Sequence, residues 1–151
     1  MKILFLCLGN ICRSQMAEAV FRHLLKERQL EDRFTIDSAG TSDEEHGNPI
    51  YPPARQCLSR HGVNPGNHHA RQVTQADYDH YDLLILMEEA NRRQLRRIIP
   101  NDPEGKIHLL LDYVDNAPRK DIADPWYTGD FEATYADVEI GCNALLQALN
   151  E

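Results

Sequence analysis

The chain has 151 residues, 42% of them apolar and 26% charged, enough for one compact domain that buries its core without disulfides or metals. Acidic residues outnumber basic ones by 24 to 16, a formal net charge of −8. That charge opposes nucleic acid and anionic membrane as partners, so an anion site must be built from local donors. Cys7, Cys12, Cys57 and Cys142 form neither a disulfide framework nor a zinc pattern, and this usage points to a reducing, cytoplasmic setting.

The opening run Ile3–Cys7 is continuously apolar, as expected of a strand buried on both faces. It breaks at Gly9-Asn10, and Arg13 follows with no small-residue cleavage site, so it does not fit a signal peptide. No stretch is apolar for long enough to suggest membrane insertion. A glycine-containing loop, Leu8 to Arg13, precedes Ser14 as a helix cap. Ala17, Val20, Phe21, Leu24 and Leu25 then recur at helical spacing. Phe34–Ala39 reads as a second strand and residues 41–53 as a polar surface loop. Pro53 and Gly62 bracket a short helix over 53–61. Leu83–Met87 is a third strand, Glu89–Ile99 a helix stopped by Pro100, and Ile107–Leu111 the last strand. Residues 112–130 form a long loop rich in Asp, Pro and Gly. Phe131, Tyr135, Val138, Cys142, Leu145, Leu146 and Leu149 mark a C-terminal helix. Alternating strands and helices predict a single-domain α/β three-layer sandwich over 1–151, with a four-stranded parallel sheet and helices on both faces. Ligands of such sheets bind beyond the strand C-termini, so the loops after Cys7, Ala39, Met87 and Leu111 should face one site.

The first of these loops carries the chemistry. In Cys7-Leu8-Gly9-Asn10-Ile11-Cys12-Arg13-Ser14, a cysteine ends a strand and an arginine stands six residues later at a helix start. The residues between can wrap into a cradle of inward N–H groups that binds phosphate, reinforced by the helix N-terminus. The same field favours thiolate over thiol. Arg13 can grip two phosphate oxygens at once. The loop has neither the Gly-Lys-Ser/Thr of a nucleotide P-loop nor a second glycine for a dinucleotide fingerprint. A thiolate attacking phosphorus needs an acid at the leaving group. Asp124-Pro125-Trp126, in the long loop after the last strand, is the best candidate, with Trp126 as a wall of the site.

The CLGNICRS segment with a late Asp-Pro resembles the low-molecular-weight protein tyrosine phosphatases. Further matches are Asp37-Ser38-Ala39-Gly40-Thr41, His68-His69-Ala70-Arg71-Gln72 and Met87-Glu88-Glu89-Ala90-Asn91. The resemblance implies Cys7 as nucleophile, Arg13 as phosphate and transition-state ligand, and Asp124 as acid and then base. It implies that Leu8, Gly9, Asn10, Ile11, Cys12 and Ser14 cradle the substrate's phosphate. Asn10 would hold the loop through Ser38 and Asn91. Ser14 would donate to the thiolate, with His68 orienting Ser14. Cys12 would be the redox partner of Cys7. The implied substrate is a phosphotyrosine protein or small aryl phosphate, and inorganic phosphate is the product. No metal or organic cofactor is implied.

The sequence departs from the family's pattern in the loop after Gly40-Thr41 and in the tandem tyrosine after Asp-Pro, which here reads Trp126-Tyr127. Many relatives carry an aromatic residue after Gly40-Thr41 that stacks on the substrate ring; here Ser42–Gly47 has none, and Tyr51 is the nearest substitute. Ile11 suits an aryl ring better than the smaller threonine of a phosphoarginine-phosphatase branch. Arsenate reductase on the same fold would need further cysteines near the nucleophile, and residues 72–100 contain none. Cys57 and Cys142 read as structural, and Arg92, Arg93, Arg96 and Arg97 as a solvated helix face.

Overall fold

The N-terminal apolar run becomes strand β1 (Lys2–Cys7) in the computed structural model, which describes residues 1–150. It lies inside a four-stranded, wholly parallel sheet of order β2-β1-β3-β4. The other strands are β2 (Thr35–Gly40), β3 (Leu83–Leu86) and β4 (Ile107–Leu109). Phe5 stands opposite Ser38 on one side and Ile85 on the other. With a strand on each side and helices packed over both faces of the sheet, β1 is shielded all round, which is why Ile3 to Cys7 are all buried.

Side chains alternate across the sheet and split the apolar residues into two cores. Ile3, Phe5 and Cys7 point into one, shared with α1 (Arg13–Glu27), α2 (Pro52–Arg60) and α6 (Phe131–Leu149). Leu4 and Leu6 point into the other, where Tyr78 of α3 (Gln75–His80) and Leu95 of α4 (Glu89–Leu95) pack. The three-layer arrangement expected from the sequence is the one observed.

Several boundaries differ. Helix α1 begins at Arg13, so Ser14 lies within its first turn; Cys12 occupies the capping position without a side-chain cap. The first-turn N–H of Ser14 points to Cys7 Sγ instead. β3 ends at Leu86, and β4 gives way at Leu110 to a 3₁₀ turn through Tyr113. α4 stops at Leu95, short of Pro100. Two short helices were not expected. α3 is opened by a reciprocal cap between Thr74 and Asp77. α5 (Pro125–Thr128) sits inside the long loop, capped by Asp124 and closed by Gly129 in the left-handed region, φ 73°. Among the described residues, no helix is long and apolar enough to cross a membrane.

Candidate active site

The turn from β1 into α1 is held by Asn10. Its backbone is left-handed, φ 59°, which asparagine tolerates better than most residues. Its side chain is completely buried and uses both ends. Nδ2 donates to Ser14 Oγ at 2.7 Å and to Ser38 Oγ at 3.0 Å. Oδ1 accepts from His68 Nε2 at 2.9 Å and from the Arg71 backbone N–H at 3.2 Å. Gln15 Nε2 donates to the Asn10 carbonyl at 2.8 Å.

This scaffold aims donors at one sulfur. Cys7 Sγ lies 3.3 Å from the Asn10 backbone N, 3.4 Å from the Ser14 backbone N and 3.0 Å from Ser14 Oγ. Ser14 Oγ accepts from Asn10 Nδ2, and its own hydrogen can turn to the sulfur when the sulfur is an anion. Donors of this kind stabilise a sulfur anion at the start of α1. Cys12 lies in the same loop: burial first, then the charges of Cys7 and Asp124, push its thiol up. The loop therefore holds one sulfur ringed by donors and one whose thiol burial keeps protonated.

Arg13 is only 1% exposed, and every contact of its guanidinium comes from a loop at the C-terminal edge of the sheet. One terminal nitrogen donates to the Ile122 carbonyl at 2.9 Å and pairs with Glu88 at 3.1 Å; the other lies 3.4 Å from Asp124 Oδ2. Asp124 Oδ1 accepts from the Trp126 backbone N at 3.0 Å, so the cap of α5 also fixes which oxygen faces the arginine. A fork this constrained can hold two oxygens of a tetrahedral anion without first losing side-chain freedom.

Cys7 to Arg13 floor a cleft bordered by Ser42, Glu44 and Glu45 on one side and by Asp124, Trp126 and Tyr127 on the other. Segments following three of the four strands thus line the cleft, and Glu88, after β3, reaches it through Arg13. Trp126 and Tyr127 are 53% and 78% exposed. Tyr51 packs against Trp126 with ring centroids 4.9 Å apart; it supports that wall instead of lining the cleft itself.

Two sequence expectations are corrected by this geometry. His68 contacts Asn10, not Ser14; it reaches the sulfur's donors only through the asparagine. Its other ring nitrogen faces Asp37 Oδ1 at 3.2 Å and Glu18 Oε1 at 3.6 Å. Asn91 does not touch Asn10. Its Oδ1 accepts from the Met87 and Glu88 backbone N–H groups, which shapes the turn carrying Glu88, and its Nδ2 donates to Gln94. Ser38 meets Asn10 as expected and donates to Glu18 Oε1 at 2.6 Å.

Sequence reasoning assigned no role to Glu88, Glu18 or Asp37. Glu88 alone carried a local signal, as a carboxylate just past a strand end on the edge where the sheet binds ligands; Glu18 lies within α1 and Asp37 in the middle of β2. Burial alone would raise Asp37, but hydrogen bonds from His68 and the Ser38 N–H, with the Arg71 charge, outweigh it and hold the group at about 2. Cys57 and Cys142 lie in the core among α1, α2 and α6, away from the cleft.

A family model described as low molecular weight phosphotyrosine protein phosphatase matches residues 2–151. The low molecular weight protein-tyrosine-phosphatase YfkJ of Bacillus subtilis (strain 168) is 40% identical over 149 residues, covering 99% of this chain and 96% of that protein. The crystal structure of YfkJ superposes with a TM-score of 0.96 at 39% identity, over 99% of this chain and 94% of the other. The low molecular weight phosphotyrosine protein phosphatase of Homo sapiens is 41% identical over 149 residues, 96% of this chain and 93% of that protein. The crystal structure of a Drosophila arginine phosphatase superposes with a TM-score of 0.90 at 31% identity, over 100% and 99% of the two chains. With the parallel sheet, the phosphate cradle and this end-to-end similarity in hand, the chain belongs to the low molecular weight phosphotyrosine protein phosphatase family.

Proposed function

We propose that the chain is a protein tyrosine phosphatase that hydrolyses phosphotyrosine and small aryl phosphates through a cysteinyl-phosphate intermediate. The observation that carries this is the set of donors converging on Cys7 Sγ, with the Arg13 guanidinium and the Asp124 carboxyl in the same cleft. The Cys7 thiolate attacks phosphorus, an S–P bond forms, and the P–O bond to the aryl group breaks. Asp124 gives its proton to the departing phenolate oxygen. The resulting Asp124 carboxylate then takes a proton from water as that water attacks phosphorus, and thiolate and inorganic phosphate are released. The N–H groups of Leu8 to Ser14 and the Arg13 fork hold the equatorial oxygens throughout. A phosphate dianion competes with Glu88 and Asp124 for Arg13, which frees the Asp124 carboxyl for proton transfer.

Ser14 supports the thiolate, and Ser38 and His68 act through Asn10. Asn91 acts through the Glu88 turn. Ile11 and Trp126 flank the aryl group, and Ile11 disfavours the more polar phosphoarginine. Cys12 is the in-loop partner for reversible oxidation of Cys7; both thiols are free in the structure. Substrates are cytoplasmic phosphotyrosine proteins.

Rapid quenching with p-nitrophenyl phosphate, followed by mass spectrometry, should find phosphate on Cys7 and nowhere else. Cys7→Ser should bind phosphate without turnover. Appreciable turnover by that variant, or phosphate trapped on another residue, rejects the mechanism. Parallel rates on phosphotyrosine, phosphoserine and phosphoarginine peptides rank the substrate classes, with phosphotyrosine expected first.

A further inference from the structure

Glu44 and Glu45 border the cleft that holds Cys7 and Arg13. They are not a site of their own. Their importance is that a phosphoester seated in the cradle must leave past them. The segment is tied to the cradle backbone: the Thr41 N–H donates to the Cys7 carbonyl at 2.9 Å and the Ser42 N–H to the Leu8 carbonyl at 3.0 Å. Glu45 lies against the floor, its Cγ 3.5 Å from where a Cβ on Gly9 would stand. Asn48 Nδ2 donates to Glu45 Oε2 at 2.6 Å and holds the carboxylate in place.

The charge around the cleft is one-sided. Among the described residues, Arg13 is the only lysine or arginine that borders it, and it lies on the floor, already facing Glu88 and Asp124. His46, the one histidine, lysine or arginine of residues 42–47, faces Asp43 at 3.1 Å. The opposite wall offers the aromatic rings of Trp126 and Tyr127 and the Asp124 carboxyl, which faces Arg13, and no cation. The floor can therefore read the phosphate and the aromatic wall the ring. What remains for Glu44 and Glu45 to meet is the peptide beside the phosphorylated residue. A carboxylate there meets like charge, whereas a lysine or arginine meets two carboxylates. The segment 42–47 carries no aromatic residue, so selection on this side is electrostatic and does not involve stacking.

Resting on the phosphatase reading above, we propose that the Glu44–Glu45 lip selects phosphotyrosine segments with a lysine or arginine next to the phosphorylated residue and rejects acidic flanks. Both glutamates are partly or fully exposed, so the effect is modest and sensitive to salt.

The test uses three phosphotyrosine peptides that differ only in flanking residues, lysine, glutamine or glutamate, with p-nitrophenyl phosphate alongside. The expected order in kcat/KM is lysine, then glutamine, then glutamate, each step about two- to five-fold at low salt. The spread should shrink at an ionic strength of about 1 M, where the Debye length falls to about 3 Å. Glu44→Gln combined with Glu45→Gln should compress it at low salt. Equal rates for the three peptides while p-nitrophenyl phosphate is turned over overturn the lip alone. A lysine preference that survives the double substitution undiminished does the same. Absence of turnover on every substrate overturns the phosphatase reading and the lip together.

Discussion

Asp124 shows how one side chain can be given two tasks by its position. Its Oδ1 caps α5 through the Trp126 N–H, while its Oδ2 faces Arg13 at 3.4 Å. Replacing it with alanine removes the proposed proton donor and a helix cap together, and the two effects separate by experiment. Loss of the cap costs about 0.5–2 kcal/mol of stability and affects all substrates alike. Loss of the proton should slow substrates with poor leaving groups by about 10²–10⁴-fold and spare those whose phenolate leaves readily unprotonated. Rates for Asp124→Ala across a series of aryl phosphates of graded leaving-group acidity measure this. Equal losses along the series would remove the acid assignment. Cys7, Arg13 and Asp124 were legible in the sequence because the loop spacing and the Asp-Pro pair are local signals. The Arg13–Glu88 pair and the Asn10–His68 contact were not, because they join residues 75 and 58 positions apart.

Legibility at the level of elements followed length and periodicity. β1 and α6 were plain, one as a buried apolar run and the other as a nineteen-residue helix with a regular apolar stripe. α3 and α5, of six and four residues, are too short for a period, and only their capping residues announce them. The interior glycine of α6 is the opposite case: the sequence shows it, but only the packing explains it. Gly141 is buried, and a Cβ there would lie 2.6 Å from Leu110 Cγ, so the helix approaches the turn after β4 as closely as it does because no side chain intervenes. Gly141→Ala gains about 0.5–1 kcal/mol of helix propensity but overpacks this contact by about 1–3 kcal/mol. The net expectation is a lower urea midpoint with an unchanged m-value. The turn displaced is the one that leads into the loop carrying Ile122 and Asp124, so activity should fall more than stability alone explains. A midpoint equal to or above the parent's would show that Leu110 moves aside at no cost.

Taken as a whole, the molecule gathers a network of partly buried charges around β2, and this contributes to its response to acid. Asp37 is held at about 2 against an ordinary 3.8. Burial opposes the anion, but His68, the Ser38 N–H and Arg71 together favour it more strongly. Arg71 also pairs with Asp77 at 2.9 Å, so the network runs from β2 through the segment before α3 to Asn10 and the cradle. A carboxylate depressed in the folded state contributes stability that is complete above its unfolded value and lost as pH falls toward its folded one. The window here is about pH 4 down to pH 2. Because the Asp37 side chain is 30% exposed, its contribution is about 1–2 kcal/mol, less than the full shift would give. Asp37→Asn should therefore be less stable than the parent by about that amount at pH 7, and the gap should close below pH 4. The general field of a chain with net charge −8 also changes over this range, but it changes almost equally in both proteins and cancels in the comparison. Urea unfolding of the pair at several values between pH 2 and pH 7 measures the gap. A difference that stayed constant with pH would mean that Asp37 acts through its shape and hydrogen bonds, and that its charge does not tie the sheet edge to the cradle.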